Sequence, residues 1–392
     1  MTASRRIRVL VVDDSIVVRK IVTDVLSQDP HIDVVGTAVN GRVGLTKIAQ
    51  LEPDLVTLDV EMPEMDGLSA LKAIREKWAR LPVIMFSTLT EPGAAVALEA
   101  LSLGASDYVT KPANVGSVSE SMASVRDQLI PRVHALAGRA AGITRGTTPP
   151  PPPRGVAPRP ATGSPVASAP RTIGRQVGHV AAAPRSGPRA TSAPKILAIG
   201  CSTGGPQALT GVLQALPGSF PLPIVVVQHM PPVFTAQFAA RLDRTCQLTV
   251  VEAKGGESLR PGTVYIAPGD YHMELAAAGA KAPPVTTLNQ GPPVCFCRPA
   301  VDVLFQSVAA QYGAGTLAVV LTGMGHDGRT GAGRIRDVGG SVLVQDEQSS
   351  VVWGMPGAIA AAGLADEILP LDSIAGAIRT RVSASPTLAG AR

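Results

Sequence analysis

The sequence predicts two α/β units separated by a long segment without a core. Three observations carry this expectation. Short apolar runs alternate with segments of helical period over residues 7–136, and the same alternation resumes at 195 and continues to about 380. Between them, residues 139–194 hold eight arginines, no lysine, no acid and 12 of the chain's 35 prolines. Such a stretch cannot bury a core and reads as a disordered or partly polyproline II linker. With 392 residues, 45% of them hydrophobic and 17% charged, the chain is globular and too long for one ordinary domain. Aromatics make up only 3%, so Val, Leu, Ile and Ala must fill the cores.

The formal charge of +5 and pI near 9.2 invite a nucleic-acid reading, but the linker supplies the basicity and the rest of the chain is net negative. An arginine-mediated contact between the linker and an acidic surface stays open. Cysteine occurs at 201, 246, 295 and 297, without a C-x-x-C and histidine array at zinc spacing. Cys295 and Cys297 read as packing residues on one face of a strand. So few cysteines, no N-terminal apolar segment and no run of 18 apolar residues predict a cytoplasmic protein.

In the first unit, Ile7–Val12 is a buried strand ended by Asp13 and Asp14, and Ser15 caps a helix reaching about Gln28. Further strands are expected at 33–38, 55–58, 82–86 and 107–109, with helices at about 41–51, 67–77, 92–103 and 115–136. Five strands alternating with five helices give a parallel sheet covered on both faces, with ligands at the carboxyl ends of its strands. The polar residues fall at those ends: Asp13 and Asp14, Asp59, Ser87 and Thr88, and Lys111. One aspartate after a strand is ordinarily a helix cap. Three converging carboxylates repel one another and call for a cation, and oxygen ligands suit Mg²⁺. A hydroxyl and a lysine in the same mouth can hold phosphoryl oxygens, which makes Asp59 the natural phosphoryl acceptor.

Asp13-Asp14, Asp59 followed by Met62-Pro63 and Asp66-Gly67, Ser87-Thr88 and Tyr108-Val-Thr-Lys-Pro112 resemble the receiver domain of two-component response regulators over 7–136. The resemblance implies a flavodoxin-like fold, Mg²⁺ held by Asp14 and Asp59 with Asp13 in support, and phosphorylation of Asp59 by a histidine kinase. It also implies that Ser87 and Tyr108 rearrange with the phosphate, and that a cis Lys111–Pro112 bond aims Lys111 into the site.

In the second unit, Lys195–Gln207 reads as a buried strand, a glycine turn and a helix opened by Pro206. Ser202 sits on that turn among Gly200, Gly204 and Gly205, an arrangement that exposes a hydroxyl beside free backbone N–H groups. A phosphate cradle or a plain structural turn would look the same locally. Ile224–Val227 is the next strand, with His229 just past it, and a helix follows over 233–242. Short runs at 248–252, 263–267, 271–275 and 284–288 suggest a small β excursion carrying hairpins. A helix over 299–312 and the strand Leu317–Leu321 lead to Asp327, followed by a helix to about Val338 and a last strand, Ser341–Gln345.

Ser202, His229 and Asp327 thus occupy three strand ends of one sheet. They have the composition of a nucleophile, the base that takes its proton, and the carboxylate that orients the base. Their order differs from that of α/β-hydrolases, which argues for a separate fold. His326 is a rival to His229, but its side chain should diverge from that of the adjacent Asp327.

Ile199-Gly-Cys-Ser-Thr-Gly-Gly-Pro206, Gln228-His-Met-Pro-Pro232, Tyr265-Ile-Ala-Pro-Gly-Asp270, Thr322-Gly-Met-Gly-His-Asp-Gly328 and Trp353-Gly-Met-Pro356 resemble the effector domain of chemotaxis protein-glutamate methylesterases over about 195–380. The resemblance implies a doubly wound α/β methylesterase domain with a small β-hairpin excursion. It implies Ser202, His229 and Asp327 as the triad, with Thr203 and Met324 supplying backbone support to the oxyanion. The activity implied is hydrolysis of glutamate γ-methyl esters on chemoreceptors, with deamidation of particular glutamines and no cofactor for the ester chemistry. Cys201 stands where alanine is usual, and the linker is longer than is typical.

The expected organisation is a receiver at 1–138, a linker at 139–194, the esterase at 195–380 and a flexible tail at 381–392. Phosphorylation of Asp59 should relieve occlusion of the esterase by the receiver, and a flexible linker of this size should dilute the docked state. The alternatives are the same enzyme in a non-flagellar pathway, or a phospho-switched binding module without catalysis. No nucleic-acid partner and no membrane insertion are expected.

Overall fold

The structure, a computed structural model, describes residues 5–111, 118–138, 192–279 and 282–383. The Lys111–Pro112 bond, nearly all of the linker and the end of the tail lie outside these residues. The first unit runs β1 (Ile7–Val12), α1 (Ile16–Ser27), β2 (Ile32–Ala38), α2 (Gly41–Leu51), β3 (Leu55–Asp59), α3 (Gly67–Lys77), β4 (Val83–Ser87), α4 (Glu91–Ser102), β5 (Asp107–Thr110) and α5 (Val118–Ala137). Its strands pair in parallel in the order β2-β1-β3-β4-β5, the flavodoxin-like arrangement. The helices start where polar side chains can take an orphan N–H. Ser15, Asn40, Asp66 and Thr90 each accept a backbone hydrogen bond from three residues on, a contribution of about 1 kcal/mol per cap.

The second unit runs β6 (Ile196–Cys201), α6 (Gly205–Gln214), β7 (Ile224–Gln228), α7 (Phe234–Thr245), β8 (Thr249–Glu252), β9 (Thr263–Ile266), β10 (His272–Ala276), β11 (Val285–Asn289), α8 (Val301–Tyr312), β12 (Thr316–Val320), α9 (Arg329–Asp337), β13 (Ser341–Gln345), α10 (Met355–Ala361), β14 (Glu367–Leu369) and α11 (Leu371–Ser383). Seven strands form a parallel sheet in the order β14-β13-β12-β6-β7-β9-β8. β6, β7 and β12 are buried at every residue, because helices cover both faces.

Two features differ from the sequence expectation. Of the four short β runs, only β10 and β11 form a separate antiparallel hairpin, while β8 and β9 extend the main sheet in parallel. The sheet also gains a three-residue edge strand, β14, beyond the strand expected to be last.

The two units share an apolar layer. It is joined where α4 packs on α6 and α7, and the same cluster continues into the receiver through Ile48 and Leu71 and into the second unit through Leu209, Leu213, Phe238 and Ile378. The far face of the receiver sheet is closed by α1 and α5 through Val22, Val25, Val125 and Leu129. The far face of the second sheet is closed by α8, α9 and α10 through Leu304, Phe305, Ile335 and Ile359.

Candidate active site

β12, β6 and β7 are consecutive neighbours in the middle of the sheet, so the residues past their carboxyl ends face one another. Ser202 follows β6, His229 follows β7 and Asp327 lies beyond β12. The turn at Ser202 depends on Gly204, whose φ of +74° is disfavoured for residues with a Cβ. The loop after β12 approaches at Gly323, where an added Cβ would lie 2.9 Å from the Ser202 Cβ and 2.4 Å from the Met355 sulfur. Glycine alone allows this contact of Gly323, the residue before Met324, with Ser202. Among the described residues, the N–H groups of Thr203 and Met324 donate no hydrogen bond.

His229 Nε2 lies 2.8 Å from Asp327 Oδ2. Asp327 is 1% exposed and saturated, accepting the N–H groups of Val301 (2.6 Å), Asp302 (2.9 Å) and Gly328 (2.9 Å) as well. Val301 and Asp302 open α8, so the carboxylate also caps a helix N-terminus. Burial pushes this carboxyl up, but the imidazole and the backbone donors outweigh it and hold it below the ordinary range. Burial pushes His229 down, and the hydrogen bonds to Asp327 and Cys297 outweigh that and carry it up to about 10. The imidazole's other nitrogen, Nδ1, faces Cys297 Sγ at 3.5 Å. Among the described residues no hydrogen bond links Ser202 Oγ to His229.

His326 is exposed and faces Cys295 at 3.9 Å. Cys295 and Cys297 do not share the face of a strand. They flank Phe296 in a tight turn in which Cys295 (φ 51°) and Phe296 (φ 64°) are both left-handed. Sequence reasoning missed Cys297 as a neighbour of His229, and it missed Gln228. The buried Gln228 amide donates to the carbonyls of Ser202 (3.1 Å) and His229 (3.2 Å) and so ties two of the loops together. Its place at the end of a wholly apolar strand was the available signal. Thr322 ties the third loop in, donating from Oγ1 to the Thr203 carbonyl at 2.9 Å.

A second cluster lies at the carboxyl ends of the receiver strands. Asp13, Asp14 and Asp59 bring a carboxylate oxygen each within 4.8 Å of one another. Lys111 Nζ lies 2.7 Å from Asp59 Oδ2 and 3.5 Å from Asp13 Oδ2. Those two oxygens are buried, and the Lys111 ammonium is the one partner they meet among the described residues. Burial and the Asp13 charge push Asp59 up to about 6 against the pull of Lys111, and burial likewise raises Asp13. Hard oxygen donors left unsatisfied in this way fit a small divalent cation. Ser87 Oγ donates to the Gly93 carbonyl at 2.7 Å, turned toward α4.

Receiver residues reach the edge of the Ser202 site. Thr203 Oγ1 donates to Asp107 Oδ2 at 2.7 Å, and Arg132 Nε holds the same oxygen at 3.0 Å. The buried Tyr108 ring stacks on Phe234, with centroids 4.6 Å apart and planes at 5°. Gln207 donates its side-chain amide to the Leu101 carbonyl.

Residues 9–123 match the family model for the response regulator receiver domain, and residues 197–378 match that for CheB methylesterase. The chain is 56% identical over 369 residues to a protein-glutamate methylesterase/protein-glutamine glutaminase of Nocardioides sp., covering 93% of this chain and 92% of that one. It is 48% identical over 377 residues to a protein of the same description from Trichodesmium erythraeum, covering 96% of this chain and 99% of that one. The Thermotoga maritima CheB methylesterase catalytic domain has 44% sequence identity and a TM-score of 0.46, covering 49% of this chain and 100% of that chain. With a receiver followed by an esterase unit, and identity sustained across nearly its whole length, the chain belongs to the CheB methylesterase family.

Proposed function

We propose that the chain is a phosphorylation-gated protein-glutamate methylesterase and protein-glutamine glutaminase acting on chemoreceptors in bacterial chemotaxis. The observation that carries the catalytic assignment is the saturated Asp327 holding His229 at a strand end next to that of Ser202. Asp327 occupies Nε2, so Nδ1 is the nitrogen left to exchange a proton with Ser202. Ser202 Oγ attacks the ester carbonyl as Nδ1 takes its proton. The free N–H groups of Thr203 and Met324 receive the oxyanion, a contribution of roughly 3–4 kcal/mol per donor. The imidazolium, stabilised by Asp327, then protonates the departing methanol, or ammonia when the substrate is a glutamine. Water activated by the same nitrogen cleaves the acyl-enzyme. The hydrogen bond between Ser202 and the base forms when substrate is bound.

Asp59 is the phosphoryl acceptor, with a chemotaxis histidine kinase as donor. Asp13, Asp14 and Asp59 hold Mg²⁺, which when bound neutralises phosphoryl oxygens that the three carboxylates would repel. Lys111 pairs with the phosphoryl group in place of the bare Asp59 carboxylate, and Ser87 and Tyr108 shift with it. Tyr108 stacks on Phe234 and the neighbouring Asp107 holds Thr203, so a shift of β5 reaches the residue next to Ser202. No helix among the described residues is long and apolar enough to cross a membrane, and the enzyme works from the cytoplasm on the receptors' cytoplasmic helices. Methanol release from methylated receptor membranes tests the catalytic assignment. Ser202→Ala should lower the rate by up to about 10⁶-fold, and a variant that keeps full turnover would sink it.

A further inference from the structure

The turn at Val294–Cys297 closes over His229. Val294 and Cys297 exchange backbone hydrogen bonds of 2.9 and 3.0 Å. The two residues between them are left-handed although neither is glycine, a strained conformation of the kind that collects at functional sites. Phe296 is sent fully into solvent, and Cys297 Sγ is aimed at His229 Nδ1, 3.5 Å away. The reactive form of cysteine is the thiolate, which needs a base or a cation beside it. His229 provides both. In its base form it takes the thiol proton at Nδ1, and as imidazolium, neutralised by the buried Asp327 on Nε2, it is the cation beside the sulfur.

The other three thiols lack this arrangement. Cys201 is wholly buried against the Val227 carbonyl, and burial pushes its thiol far up. Burial and the Asp243 carboxylate raise Cys246. Burial, with the Asp327 and Asp302 carboxylates adding to it, pushes Cys295 up to about 11.

We propose that Cys297 is a thiol-exchange site, at which a mixed disulfide formed with a low-molecular-weight disulfide shuts the esterase until a free thiol removes it. The proposal adds a regulatory input to the methylesterase reading and rests on it. In the exchange, the Cys297 thiol proton passes to His229 Nδ1 and Sγ attacks one sulfur of the incoming disulfide. The new S–S bond forms as the old one breaks. The expelled thiolate recovers the proton from Nδ1 and leaves as a free thiol. The incoming disulfide is itself the oxidant. The adduct then lies over Nδ1, the nitrogen Ser202 must use, so it blocks both proton transfer and the approach of the ester.

The test incubates the full-length protein with oxidised glutathione and follows intact mass, peptide mapping and methanol release. One glutathionyl group should appear on Cys297, turnover should fall about tenfold or more in step with it, and dithiothreitol should restore both. Cys297→Ser and Cys297→Ala, each referred to its own untreated rate, should lose no turnover on treatment. In His229→Gln the labelling of Cys297 should slow by about tenfold or more, because the base 3.5 Å from its sulfur is gone. This readout needs no esterase activity. Labelling of Cys295 or Cys246 with Cys297 unmodified would overturn the proposal. So would an adduct on Cys297 that leaves turnover intact, or wild-type labelling in His229→Gln. Untreated protein that releases no methanol would overturn the methylesterase reading instead, and the labelling experiment would still decide the chemistry of the thiol.

Discussion

Two clusters of carboxylates sit at the carboxyl ends of two parallel sheets in this chain, and they are finished in opposite ways. In the receiver, Asp13 and Asp59 are buried with an oxygen each that has no partner but the shared Lys111 ammonium among the described residues, and both are pushed toward the protonated form. In the esterase, Asp327 is equally buried but accepts three backbone N–H groups and an imidazole, and it is held ionised. Burying a charge is costly unless partners replace the lost water. The receiver leaves part of that cost outstanding, which a cation and a phosphoryl group can relieve. The esterase settles it within the fold, so its carboxylate is a fixed support. Incomplete satisfaction marks where a ligand arrives, and complete satisfaction marks where geometry is held.

The largest effect that could break this contrast is at Asp327. If its role is orientation, Asp327→Asn should lower kcat on the order of 10⁴-fold while the protein stays folded by circular dichroism. A loss of only a few fold would mean that His229 is oriented by something else. The next is a pH effect. His229 carries a raised pKa, so the base form of the free enzyme accumulates only as pH climbs toward about 10. The acid limb of kcat/KM should therefore lie above neutrality. Removing one of the two partners that favour the imidazolium, in Cys297→Ser, should move that limb to lower pH. A limb that stays in place would show that the thiol does not bear on the imidazole. The smallest effect belongs to the contact between the units. Thr203→Val keeps the backbone N–H but loses the hydrogen bond to Asp107, and should raise methanol release without phosphodonor by about tenfold, in line with a charge-assisted bond. An unchanged rate would mean that this contact does not restrain the enzyme.

Much of this was legible in the sequence because strand ends announce themselves. A mainly apolar run that ends in polar residues places those residues at the sheet's rim, and Asp13, Asp59, Ser202 and His229 all follow such runs, interrupted only by Arg8, Thr57 and Gln228. Asp327 stands farther along its loop, and the glycines around it gave the signal. The failures are cases in which distant chain decides. β8 and β9 have only four residues each and are joined by a glycine- and proline-containing loop without a helix, so they read as hairpin strands. Their parallel pairing is imposed by β7, a partner that local pattern cannot name. Cys297 was read as one position of an alternating strand because neither Cys295 nor Phe296 is a residue that ordinarily takes a left-handed turn. The bond between Asp107 and Thr203 joins residues 96 positions apart and has no sequence signature.

The measurement that bears most directly on the two-site account is methanol release from methylated receptor membranes, with and without a small-molecule phosphodonor and Mg²⁺, for the wild type and Asp59→Asn. If the unsatisfied receiver site governs the satisfied esterase site, the donor raises wild-type release about tenfold or more, equivalent to about 1.4 kcal/mol of interface energy, and leaves Asp59→Asn at its basal rate. Equal release from the wild type with and without the donor would contradict the account, since the two clusters would then share a chain without being coupled.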